Sequence, residues 1–378
     1  MAPYTGIPLS PAELSYLHTS LSQDPPIRPD GRSPTQFRPL VAETDILPST
    51  NGSARICFPD GTEAIVGVKA EVEKTRAAGQ DVIRGGEGVL GLGRGGGRDV
   101  DDEEMEDGEG NAVKSGRGRD EWVEIAIELP ALLADAGLKD TLWINNRFHW
   151  RLYIDILLLS QPLSYPLPLL SLTTHLALLS TRLPALISEQ DEDPLFNDDW
   201  EASTPLYPRH TNPSSSVQQH HIKPPITLLV MTVGPAILFD PSADELAVAD
   251  AVLALSVAQQ LPTDATSKSS DQAPSFKLIA LRTVDPPSRL TAGGVPNTLN
   301  TTTTTTTSSG TSGTMGSSQK KPTAGEVLAI RERDQGTSVW RPPRGGVSRA
   351  VVGRMIKAVV ERGGVGWEVM EGLAGVET

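Results

Sequence analysis

Two stretches of this chain have almost nothing to bury, and they constrain how the rest can fold. Residues 75–120 contain GGEGVLGLGRGGGRDVDDEEMEDGEG, and residues 291–324 contain TTTTTTTSSGTSGT. Segments so poor in apolar side chains cannot offset the entropy lost on ordering, so both read as disordered low-complexity insertions. The remainder, residues 1–74, 121–290 and 325–378, is expected to form one domain, although 378 residues would allow two. The formal charge of -14 is a poor guide to the folded surface, because Asp99 to Glu109 alone holds eight carboxylates. That acidic block reads as a solvating spacer.

Between the insertions the patterning is strong. SPAELSYLHTSL has Ser10 as an N-cap, Pro11 at the first helical position and Glu13 completing a capping box, which predicts a short helix ending near Ser22. A strand is expected from Phe37 to Thr44, then a hairpin in which Pro59-Asp60-Gly61 joins SARICF to EAIVGVKAEVE. WVEIAIEL reads as a strand and ALLADAGL as a short helical piece. In WINNRFHWRLYIDILLLS, Phe148, Trp150, Leu152, Ile154 and Ile156 alternate with Arg147, His149, Arg151, Tyr153 and Asp155, which predicts a strand with one apolar and one polar face. Leu169, Leu172, Leu176, Leu179 and Leu183 then fall three and four apart, the stripe of a helix packed on a sheet. After a polar loop (188–225) come four strand-like runs, ITLLVMTV, AILFD, AVLALSVA and FKLIALRTV. A last helix is expected from an N-cap at Ser348 to Arg362, closed by Gly363-Gly364. Strand clusters followed by helices make the fold class α+β.

Several function classes are disfavoured by the residues alone. A single cysteine, Cys57, forbids an internal disulfide framework and, in an apolar strand pattern, reads as a buried thiol of a reduced intracellular protein. The first residues lack a signal peptide's charged start and apolar core. Residues 156–181 carry no charge, but Pro162, Pro166 and Pro168 interrupt them, so a strand, turn and helix is expected there rather than a membrane span. The glycine runs at Gly91 and Gly95 have no strand before them or helix after them, as a phosphate loop requires. His210, His220 and His221 sit in a Pro/Ser/Gln-rich loop without metal-ligand spacing, so no metal and no cofactor are expected.

IRPDGR, Ile27 to Arg32, flanks a Pro-Asp-Gly turn with Arg28 and Arg32. Pro29 sets the entry and Gly31 permits a positive φ at the exit. Local chemistry leaves two readings open, a phosphate clamp and a mere corner.

RPDGR, NGSARI and DGTEAIVGVKA in that order, followed by RFHWRLYIDILLLS, the leucine helix and ILFDPSADELAVADAVLALSV, resemble the ribonuclease PH family, and within it the ring subunits of the RNA exosome. The resemblance implies a ribonuclease PH-like (ribosomal protein S5 domain 2-like) fold of sheets with packed helices. It makes Arg28, Pro29, Asp30, Gly31 and Arg32 a family motif. The implied partners are other ribonuclease PH-like subunits in a hetero-hexameric ring, RNA-binding cap subunits, an associated hydrolytic nuclease and RNA, with no membrane. The implied setting is nucleus, nucleolus and cytoplasm, with roles in rRNA maturation and mRNA turnover.

Active relatives hold the attacking phosphate with a Gly-Gly-Thr-Arg loop just after the strand that corresponds to Arg151–Ser160. This chain instead reads SQPLSYPLPLL, without glycine or arginine. The expectation is a non-catalytic ring subunit, with Asp240 and Glu245, beside Asp244 and Asp250, as vestigial carboxylates on a solvated turn and helix start. Two alternatives stand: a phosphate-dependent 3′ to 5′ exoribonuclease using Asp240 and Glu245, and a truncated member that cannot assemble, since the segment 129–142 is shorter than the family's. Arg147, Arg151 and Arg55 are the leading cations for RNA phosphates, with ion pairing as the competing reading. Arg349, Arg354 and Lys357 read as an ordinary solvated helix face.

Overall fold

The computed structural model describes residues 9–75, 119, 122–125, 136–160, 164–188, 192–207, 223–260, 275–291 and 339–376. Almost all of both low-complexity insertions, and the three loop histidines, lie outside these residues.

The N-terminal half builds a five-stranded sheet in the order β1 (Val41–Thr44), β2 (Gly52–Cys57), β3 (Glu63–Lys74), β5 (Phe148–Leu158), β4 (Val123–Ile125). All pairs are antiparallel except β4 with β5. Helix α1 (Pro11–Leu21) precedes it with the expected capping box, and α2 (Ala136–Thr141) leads into β5. The second half makes a four-stranded antiparallel sheet, β11 (Ser275–Val284), β10 (Ala251–Gln260), β8 (Ile226–Val233), β9 (Ala236–Phe239). A two-stranded piece, β6 (Arg182–Leu183) with β7 (Thr204–Pro205), lies between the halves in sequence, and α4 (Ala243–Leu246) follows β9.

Helix α3 (Leu167–Ser180) packs on β2 and β3 on one side and on β8 on the other. That double duty explains its composition: it is buried on nearly every side, so the single leucine stripe is too narrow a description. Leu183, assigned to the stripe by spacing, belongs instead to β6. The buried hydroxyls of α3 find backbone partners, with Thr173 Oγ1 donating to Leu169 O at 2.8 Å and Thr174 Oγ1 to Leu170 O at 2.7 Å. At the helix end, Gly52 on β2 is required by close approach: a Cβ there would lie 2.5 Å from Thr181 Cα.

Strand β8 is buried on both faces, which is why its sequence is a continuous apolar run. Leu228 and Val230 join the core shared with α3, α5 (Arg349–Val360) and α6 (Val365–Ala374), through Met355, Val359, Met370 and Leu373. Leu229, Met231 and Val233 face a second cluster with Leu14 and Leu21 of α1 and Leu246 of α4.

Four expectations change. The strand expected from Phe37 starts only at Val41, because the chain before it is used by side-chain and backbone bonds to the second sheet. His149, placed on the polar face of β5, is buried, because Trp122 stacks on its ring at 4.5 Å between centroids. Cys57 is half-buried rather than buried, since the β2 face that carries it lacks a covering helix. The final helix stops at Val360, and a second one, α6, follows the Gly363-Gly364 break. Among the described residues no helix is long and apolar enough to cross a membrane.

Candidate functional site

The RPDGR loop and the FDPSADE turn, more than two hundred residues apart, close on each other. Arg28 has its whole side chain buried, and its fork meets the Glu245 carboxylate with Nε–Oε1 and Nη2–Oε2 distances of 2.7 Å each. Its remaining N–H groups donate to Ser33 O at 3.3 Å, Phe239 O at 3.1 Å and Asp240 O at 3.0 Å. All five guanidinium donors therefore have protein acceptors. Glu245 also closes a capping box on α4, accepting from Ser242 N at 2.8 Å.

Two further arginines converge on Asp240. Arg32 donates to Asp240 Oδ2 at 2.9 Å and to its carbonyl at 3.1 Å, while binding Asp30 Oδ2 at 2.6 Å. Arg38 donates from its backbone N–H and Nε to Asp240 Oδ2 at 2.9 and 3.0 Å, and from Nη2 to Oδ1 at 2.8 Å. It also reaches Asp60 Oδ2 at 2.8 Å and Ser164 Oγ at 3.1 Å, and its guanidinium lies 4.5 Å from the Phe58 ring centroid. Burial alone would raise the Asp240 pKa, but the hydrogen bonds and charge of Arg38, joined by Arg32, hold it below the usual carboxylate range. Asp240 sits at φ 45°, a left-handed conformation that an Asp tolerates better than most side chains. Gly31 and Gly61, in the two Pro-Asp-Gly turns of the cluster, have φ 75° and 81°, as turn chemistry requires.

The carboxylates expected on a solvated turn are thus buried, Asp240 at 3% and Glu245 at 0% exposure, because the arginine clasp has drawn them in. Asp244 is exposed, and Asp250 is half-buried, accepting from Gly234 N at 2.6 Å. As a metal site the cluster does not fit: each oxygen of Asp240 and Glu245 already accepts from a guanidinium, and no set of three metal-ligating side chains occurs among the described residues. Nor can Arg28 hold an anion, since its donors are all taken. Arg38 is the member that sequence reasoning missed. Its only signal was an Arg-Pro repeat six residues after Arg32, inside a stretch assigned to a strand.

The arginines considered for RNA are already engaged. Arg55 pairs with Glu63 and, at 3.1 Å, with Glu43. Arg151 bonds Glu73 at 3.1 Å and Glu124 at 2.7 Å, which ties β5 to both its neighbours. Arg147 reaches Asp193 at 3.3 Å but stays largely exposed.

Comparison with known proteins agrees with the motif order. Residues 36–184 match the model of the 3′ exoribonuclease family, domain 1 (RNase PH). The chain is 33% identical over 256 residues to the exosome complex component RRP42 of Saccharomyces cerevisiae, covering 66% of this chain and 81% of that protein. The chain belongs to the ribonuclease PH family. A second member, exosome complex component rrp42 of Schizosaccharomyces pombe, is 30% identical over 265 residues, covering 66% of this chain and 78% of that one. A solved archaeal exosome core aligns with a TM-score of 0.38 at 16% identity, over 72% of this chain and 84% of that one. Within the family frame, the α+β architecture expected from the motifs is the one found, and the RPDGR motif is the clasp that joins the loop before the first sheet to the edge of the second.

Proposed function

We propose that this chain is a non-catalytic ring subunit of an RNA exosome, pairing with other ribonuclease PH-like proteins around a channel that, capped by RNA-binding subunits, carries RNA toward a separate hydrolytic nuclease. The likeness to the two yeast exosome components supports the ring assignment. The observation that carries the non-catalytic part is the closure of the clasp. Phosphorolysis needs a held phosphate and carboxylates free to bind a metal near the scissile bond. Here Glu245 is bound in bidentate fashion by a buried Arg28, and Asp240 by Arg32 and Arg38. The segment after β5, SQPLSYPLPLL, offers no arginine to replace the missing phosphate holder.

Co-expression with the other ring-type subunits of its source tests assembly, and the expected product is a stoichiometric hexameric ring on size-exclusion chromatography. Incubating the purified chain, alone and with one partner, with oligo(A), phosphate and magnesium tests chemistry; no nucleoside diphosphate is expected. Phosphate-dependent release of nucleoside diphosphates that disappears in a folded Asp240→Asn variant would overturn the non-catalytic reading. Failure of a well-expressed chain to join any ring would overturn the assembly reading.

A further inference from the structure

Six cations, Arg341, Arg344, Arg349, Arg354, Lys357 and Arg362, fall between residues 341 and 362 with one carboxylate, Glu361, in a chain of net charge -14. Arg344, Arg349, Arg354 and Arg362 are exposed and hold no carboxylate among the described residues. Lys357, 71% exposed, comes no closer than 3.8 Å to Glu361. Arg28, Arg32, Arg38, Arg55, Arg147 and Arg151, by contrast, each hold at least one carboxylate, although the exposed Lys277 and Arg282 of β11 hold none among the described residues.

The free cations share a face. Arg349, Lys357 and Arg354 fall within an arc of roughly 140° on α5 at 3.6 residues per turn, while Met355 and Val359 are buried on the other side against the second sheet and α6. Arg344 extends the row past the N-terminus of the helix, where Arg344, Gly345 and Gly346 line a cleft of about 350 Å³ whose lining also includes Thr232 and the acidic Asp250. Arg362 extends it past the C-terminus. Twelve helical residues span about 18 Å, long enough to follow several consecutive charges of a polymer.

The chemistry favours a phosphate backbone over an acidic protein. A protein partner would look for an apolar centre inside its polar rim, yet the other exposed residues from Arg344 to Arg362 are Gly345, Gly346, Ser348, Ala350, Gly353 and Glu361, and among the described residues after Leu290 no large apolar side chain is exposed. Among the described residues from 339 to 376 no exposed aromatic offers a stacking platform for bases either; Trp340 is buried and Trp367 packs on Phe276. Cations alone are what sequence-independent backbone binding needs.

We propose that the outward face of α5, from Arg344 to Arg362, binds the phosphate backbone of single-stranded RNA. That the polyanion is RNA rests on the ring-subunit reading above; the basic face does not. The test is the affinity of the full chain for end-labelled oligo(A), by fluorescence anisotropy, between about 50 and 200 mM salt. The R349A/R354A/K357A variant is expected to bind at least tenfold more weakly at the low-salt end. Its log–log salt slope should fall by about 2, since each lost phosphate contact on a single strand removes about 0.7. The R349K/R354K variant keeps the charge and retains both values, which separates charge from folding. Failure of the unaltered chain to bind oligo(A), or unchanged affinity and slope in the triple variant, overturns the proposal, as does binding of poly-glutamate in preference to oligo(A). Ring assembly, followed separately on the same proteins, distinguishes the two readings. A chain that binds RNA through α5 but joins no ring sinks the ring alone, and a ring member whose RNA affinity ignores α5 sinks this surface alone.

Discussion

In the N-terminal loop the Arg28 side chain is fully buried with both Glu245 oxygens at 2.7 Å, whereas on α5 Arg349 and Arg354 stand exposed and hold no carboxylate among the described residues. The difference is one of solvation. A guanidinium taken out of water must recover its lost hydration from acceptors in the right plane, and Arg offers a rigid fork that a carboxylate and two or three carbonyls can fill. Once filled, it cannot serve a ligand. An exposed arginine keeps its hydration and its charge, and so remains available to a polyanion. Residue type alone therefore does not tell which arginines of this fold are open to a ligand; the state of pairing does.

The largest effect should come from breaking the buried side of that comparison. Arg28→Met leaves Glu245 buried without its counter-charge and is expected to cost about 3–5 kcal/mol of unfolding free energy, measured by urea titration. Removing both charges, Arg28→Met with Glu245→Leu, should not restore stability. The carbonyls of Ser33, Phe239 and Asp240 would still lack their donors, and unsatisfied buried acceptors remain costly. A loss below about 1 kcal/mol for Arg28→Met would put the pair in the range of surface salt bridges and refute the clasp as a structural element.

Acid should act through a second buried group that, unlike Arg28, has no counter-charge at all. His175, in the middle of α3, hydrogen-bonds Pro224 O through Nδ1 at 2.7 Å, and its Nε2 is buried without a partner among the described residues. Burial lowers its pKa to about 4, against the raising effect of the Pro224 bond. Above pH 6.5 the ring is neutral in both folded and unfolded chains and contributes no pH dependence. As pH falls from 6.5 to about 4 the unfolded chain takes up a proton that the folded one refuses. Stability is then expected to decline by roughly 3 kcal/mol across that window. His175→Gln should flatten this part of the curve. Asp240, whose folded pKa is lowered, acts in a lower window, adding stability above its unfolded value near 3.8 and losing it as pH drops further. A curve equally steep in His175→Gln would mean that other groups set the acid limb.

Local features were legible in the sequence and distant pairings were not. Ser10, Pro11 and Glu13 gave the start of α1 because a capping box is closed within four residues, and Gly31 and Gly61 declared their turns for the same reason. The clasp joins residues 217 positions apart, so RPDGR and FDPSADE could each be noticed without any sign that they answer each other. Asp240 and Glu245 read as solvated acids from sequence because nothing near them along the chain is basic. The alternation in β5 separated its two faces correctly, but it could not show that Trp122 covers His149 on the polar one. Helix α6 escaped notice because GGVGWEVMEGLAG is rich in glycine. Its Val365, Met370 and Leu373 are helical only by virtue of the core they enter.

Between the buried and the free arginines lies Arg151, whose pairs with Glu73 and Glu124 are half in solvent. Its hydrogen bonds to Glu124 and then Glu73 raise its pKa, and the carboxylate of Glu73 is lowered in turn despite burial acting the other way. Solvent screening holds such pairs to about 1 kcal/mol or less, so Arg151→Ala is expected to fall well short of Arg28→Met. Its loss should also be reduced by high salt, which would leave the Arg28 effect nearly intact. A salt-insensitive loss as large as that of Arg28→Met would place Arg151 in the buried class instead.

The smallest stability change is expected where the free arginines are. Arg349 and Arg354 hold no carboxylate among the described residues and face away from Met355 and Val359. Replacing both with alanine removes no packing and slightly improves helix propensity, so the change should lie within about 0.5 kcal/mol of zero. Arg349 also sits in the first turn of α5, where a positive charge opposes the helix dipole. Its removal alone should therefore be neutral or mildly stabilising in the same urea titration. A loss above about 1 kcal/mol would reveal a partner for these side chains within the fold, and would return them from the free class to the paired one.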